Sequence, residues 1–66
     1  MRIAYDNYGD TFILECTDVS IKDNTLIAHT YNGEVKKFNL SNMSNQQKEI
    51  LINDLLREGY VNLRKL

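Results

Sequence analysis

Proline and tryptophan do not occur in this 66-residue chain, and cysteine occurs once. Without proline, the usual mark of a linker or rigid spacer is missing. With one cysteine, no internal disulfide can form, and no Cys/His spacing of the zinc-binding kind stands in for it. Neither sign of charge is in excess: eight Lys and Arg against nine Asp and Glu give a net charge of −1. A nucleic-acid-binding domain usually carries a basic excess, so general DNA or RNA binding is disfavoured. No apolar run approaches the ~18 residues of a membrane-spanning helix, so no membrane partner is expected. The first residues, Arg2-Ile3-Ala4-Tyr5-Asp6, do not resemble a secretory leader. With the lone Cys16, this makes the cytoplasm the expected compartment.

Local signatures of chemistry are missing too. No phosphate-binding glycine loop, dinucleotide fingerprint or nucleophile elbow occurs, and no calcium loop with its terminal glutamate. The expectation is a protein with no cofactor, no metal, no catalytic residues and no enzyme activity. Asn, Ile, Lys and Tyr supply 23 of the 66 residues. All four have AT-rich codons, which points to a bacterial or phage genome.

What is present reads as one α+β domain over residues 1–66. Residues 1–5 form a first strand, and Asp6-Asn7-Tyr8-Gly9-Asp10 is turn chemistry. Residues 11–21 make a long strand whose alternation changes phase. Phe12, Leu14 and Cys16 share one face, whereas Val19 and Ile21 fall on the other, so a β-bulge or bend is expected between Cys16 and Asp18. After a second turn at Lys22-Asp23-Asn24-Thr25, residues 26–31 and 34–40 flank Asn32-Gly33, the strongest short-range hairpin signal. A two-residue turn there places His29 opposite Lys36 and Ile27 opposite Phe38. Ile27, Phe38 and Leu40 then share one face, with Leu26, Ala28 and Val35 on the other.

Ser44 and Gln47 have the spacing of a capping box, which predicts a helix over 45–58 ended by Gly59. Leu51, Ile52, Leu55 and Leu56 fall in a stripe ~140° wide, with Ile50 on the polar side. Val61 and Leu63 point inward from a last strand over 60–66. The predicted architecture is a curved antiparallel meander of about four strands, then one amphipathic helix and a short C-terminal strand.

His29, the one histidine, could serve as a base and Cys16, the one cysteine, as a nucleophile, and neither has an orienting partner in the pattern. Tyr8 in a loop and Tyr31 at a hairpin tip are hard to bury, and Ile50 lies among polar helix residues. Tyrosine is enriched at protein interfaces, so Tyr8, Tyr31 and Ile50 are the candidate contacts with a protein partner. Tyr31, Lys36 and Lys37 form the candidate set for the alternative, a nucleic-acid-binding regulator using the 27–40 hairpin. A domain this small buries only about 60% of its unfolded surface, which favours association, a homodimer in the simplest case. The functional expectation is a small non-catalytic protein-binding module of unknown partner, self-associating or, alternatively, a phage or mobile-element inhibitor of a host protein.

Overall fold

A computed structural model describes residues 1–63. Five strands and one helix follow in the order β1 (Arg2–Asn7), β2 (Asp10–Lys22), β3 (Thr25–Thr30), β4 (Val35–Asn39), α1 (Asn45–Glu58) and β5 (Tyr60–Asn62). The first four strands form an antiparallel meander, and the sheet order is β4-β3-β2-β1-β5. β5 adds to β1 in parallel, pairing Ile3 with Val61. The predicted α+β architecture is the observed one.

The thirteen-residue β2 is the spine. Its first half pairs with β1, from Arg2 opposite Glu15 to Asn7 opposite Asp10. Its second half pairs with β3, from Asp18 opposite His29 to Lys22 opposite Thr25. The register shifts between Cys16 and Asp18, where the sequence pattern changes phase. One extra residue returns Val19 and Ile21 to the side already occupied by Leu14 and Cys16. The sheet curls there until β1 meets β4: the Tyr5 ring packs edge-on to Phe38 at 5.1 Å.

α1 closes the curled sheet. Ser44 accepts from the Gln47 N–H and Gln47 accepts from the Ser44 N–H, so the capping box is complete. Gly59 ends the helix at φ 72°, a left-handed conformation that glycine adopts without steric cost. Leu51 and Leu55 enter a core of Ile3, Cys16, Val19, Leu26, Ala28, Leu40 and Val61. Leu56, expected in the buried stripe, is 67% exposed. Leu51, Leu55 and the half-buried Ile52 face the core, and Leu56 lies at the rim of the stripe, beyond their cover.

The 27–40 hairpin differs from expectation in register. Leu26 lies opposite Phe38, Ala28 opposite Lys36, and His29 opposite Val35. The loop holds three residues, Tyr31 to Gly33, and Gly33 alone takes a left-handed φ, of 85°. The Thr30 N–H donates to Glu34 O at 2.9 Å, and the Glu34 N–H donates to Thr30 Oγ1 at 3.1 Å. The threonine hydroxyl thus completes a loop one residue longer than a two-residue turn. The shift exchanges the faces: Leu26, Ala28, Lys36 and Phe38 are inward, and Ile27, His29, Val35 and Lys37 outward. Two left-handed residues in a row occur instead at Tyr8-Gly9, with φ 53° and 83°, joining β1 to β2.

The last strand is shorter than expected, ending at Asn62, and residues 64–66 lie outside the described residues. Leu63 still packs against the core, as its inward assignment required.

The two hairpin registers assign different costs to neighbouring residues. Leu26→Ala should lose about 2–5 kcal/mol of unfolding free energy in urea titrations, as for deletion of a buried leucine. Ile27→Ala should lose much less. The reverse order would restore the two-residue turn.

Candidate protein interface

The pairing of β2 leaves part of its own backbone without a neighbour. The Cys16 N–H donates to Met1 O at 2.8 Å, and the Met1 nitrogen donates to Cys16 O at 3.0 Å. In an antiparallel ladder such reciprocal pairs alternate with residues whose N–H and C=O point the other way. Leu14 and Phe12 therefore bond to β1, while Thr11, Ile13 and Glu15 direct their backbone groups to the opposite edge. On that edge β3 ends, with Thr30 opposite Cys16. Among the described residues, no strand pairs with Thr11–Glu15 there.

Other edges of the sheet carry protection. β4 presents Lys37 outward, a charge that discourages strand addition. In the second half of β2, the Val19 N–H is taken by the Asp18 carboxylate at 2.9 Å. β5 is three residues long. The first half of β2 has no cationic side chain, and both of its faces are apolar in the middle. Phe12 faces inward, half-exposed and stacked on Tyr5 with centroids 5.7 Å apart, whereas Ile13 faces outward and is 60% exposed.

Two of the sequence-predicted contacts flank this edge. Tyr8 stands at the turn where β2 begins and is 98% exposed. Tyr31 is 71% exposed on the β3–β4 tip. That tip borders Leu14 and Glu15, and the two walls enclose a depression of about 350 Å³. Ile50 is 49% exposed and lies on α1, not on a strand. Phe12 and Ile13 were not among the predicted contacts. Their signal is present in the run Phe12-Ile13-Leu14, since consecutive apolar residues in a strand cannot all face one core.

The structure does not gather Tyr31, Lys36 and Lys37. Lys36 turns inward, its ammonium 5.2 Å from the Tyr5 centroid and 6.0 Å from that of Phe38. Such cation–π contacts hold a lysine in place by about 0.5–1 kcal/mol at partly exposed sites. Lys37 projects from the opposite face of β4. A strand of nucleic acid on either face would meet one lysine and not the pair.

His29 is exposed on the outer face, beside Val35 and not beside Lys36 as expected. Cys16 is fully buried, and its thiol donates weakly to Met1 O at 3.4 Å. Burial pushes the Cys16 pKa up, the amino group of Met1 pulls it down by less, and Asp18 raises it further. A buried thiol with a raised pKa is a poor nucleophile. Among the described residues, no three His, Cys, Asp or Glu side chains form a metal-ligand group, and no helix is long and apolar enough to cross a membrane.

No protein-family model, curated protein or solved structure matches this chain.

Tyr8 is a bulky residue in the left-handed region, which costs a non-glycine residue about 1–2 kcal/mol. Asn-Gly is the pair that a type I′ turn favours. Tyr8→Asn should therefore raise the unfolding free energy of the isolated monomer by about 1 kcal/mol, or Tm by ~4–8 °C. A fall would show that the ring contributes more within its own fold than its exposure allows.

Cys16 supplies a pH dependence of defined sign. As pH rises past 9.0, the ordinary thiol value, the unfolded chain loses the proton first while the folded chain retains it. Stability falls with pH wherever the folded state binds more protons. Denaturant midpoints of the wild type should decline on the alkaline side, and Cys16→Ala should flatten that decline from a lower starting stability. Equal slopes would remove the thiol as the cause.

Proposed function

We propose that the protein is a non-catalytic binding module that accepts an extended strand from a protein partner along the Thr11–Glu15 edge of β2. The observation that supports this reading is the edge itself. It presents three residues' worth of outward N–H and C=O groups, bracketed by two exposed tyrosines and without the lysine that guards β4. In strand addition the main chain supplies affinity and flanking side chains supply selectivity. Tyr8, Tyr31, Phe12 and Ile13 would be those side chains. A strained, solvent-exposed tyrosine at a turn is a further indication, because such positions persist where function uses them. Ile50 lies on α1 and is not needed for this mode. A free thiol inside the core accords with a reducing cytoplasm.

The test uses the tagged protein and its Ile13→Lys variant as baits in nuclease-treated lysate. A lysine on a strand edge opposes pairing, and at an exposed position it leaves the fold intact. The wild type should retain a specific protein that the variant loses, with both showing the same far-ultraviolet circular dichroism. Retention by both baits would place binding elsewhere, and loss of all partners on nuclease treatment would favour a nucleic-acid role.

A further inference from the structure

We infer that the strand accepted by the β2 edge is the same edge of a second copy of this chain, joined across a two-fold axis at Phe12. This rests on the preceding reading and names its partner. An edge pairs with itself only antiparallel, and the outward residues Thr11, Ile13 and Glu15 allow few registers. Placing Ile13 opposite the partner's Ile13 sets the partner's Asp10 opposite Cys16, a place already occupied by Thr30. Placing Thr11 opposite the partner's Thr11 leaves only the start of each strand engaged. With Phe12 on the axis, Thr11 faces the partner's Ile13 and Asp10 faces the partner's Leu14. This is the longest pairing that clears β3.

That register uses features that are idle in a single copy. The two half-exposed Phe12 rings meet at the axis, in a close non-hydrogen-bonded pair, and extend the Tyr5–Phe12 stack into a row of four rings. Gly9 of one copy comes level with Glu15 of the other, so Tyr8 reaches the end of β3. The depression between Glu15 and Tyr31 lies there, and an aromatic ring is a suitable occupant. The left-handed turn that strains Tyr8 is what carries it beyond the strand end. The same register sets Asp10 of one copy opposite Leu14 of the other, beside the depression that Glu34 borders. Like charges of this kind are screened by salt, so association tightens as salt is added.

Sedimentation of the full chain from micromolar to sub-millimolar concentration gives the reading. Wild type should approach twice the monomer mass of 7.7 kDa, more completely with added salt, and Ile13→Lys should remain monomeric. Phe12→Cys should form a disulfide-linked dimer on mild oxidation, because the pair on the axis brings its own copies within bonding distance. Thr11→Cys, which faces residue 13 of the partner, should cross-link far less. Fully buried Cys16 does not compete. A wild type that stays monomeric throughout, a dimer that survives Ile13→Lys, or equal cross-linking of the two cysteine variants overturns the inference. If the chain is monomeric but Ile13→Lys still releases a captured protein, the edge binds a different strand. If the variant also releases nothing, the strand-accepting reading fails as well.

Discussion

The register shift between Cys16 and Asp18 is the constraint on which the rest of the molecule depends. A regular strand of thirteen residues would send Val19 and Ile21 to the face opposite Leu14 and Cys16. One extra residue returns them to the same interior and bends β2 there. The bend lets β1 and β4, which do not pair, close against each other through Tyr5 and Phe38. It also hands β2 from one neighbour to another. Because β1 pairs with one half and β3 with the other, each half keeps one open side. Core and free edge thus have a single origin.

The chain treats its open sides unequally. Asp18 bonds the Val19 N–H, Lys37 guards β4, and Lys36 lies over the rings at the mouth of the curled sheet. Its stem covers apolar surface while its ammonium stays near solvent, as amphipathic side chains do. The Thr11–Glu15 side has none of these devices. In a protein that protects its other edges, an unguarded one bordered by Tyr8 and Tyr31 is the ground for the proposed strand-accepting role.

Much of the fold was legible in the sequence, and the exceptions have physical causes. Ser44, Gln47 and Gly59 mark the helix because capping is chemistry local to a few residues. The phase change in β2 was visible because period-2 alternation is strict. The 27–40 hairpin went wrong by one residue because Asn32-Gly33 fits two loop lengths, and the Thr30 hydroxyl, acting outside the dipeptide, selects the longer. That error put Ile27 in place of Leu26 opposite Phe38, and Lys36 in place of Val35 opposite His29. Leu56 was misplaced because helical periodicity gives the direction of a side chain and not the extent of its cover. For the candidate site, Tyr8 and Tyr31 could be picked out because turns expose their residues. Phe12 and Ile13 could not, because an edge is a property of which strands end where.

The parallel ladder between β1 and β5 bears on how the molecule is made. Arg2 and Ile3 receive their second neighbour only from Tyr60 and Val61, whereas the other pairings join strands adjacent in sequence. During synthesis, β1 to β4 can assemble by successive short loop closures, each fast. β1 then waits with one side bare until α1 and β5 have left the ribosome. For that interval the nascent chain carries the bare side of β1 in addition to the Thr11–Glu15 edge of β2, and a neighbouring copy on the same polysome could meet either. The late arrival of β5 covers the bare side of β1 and leaves the Thr11–Glu15 edge of β2 as it was.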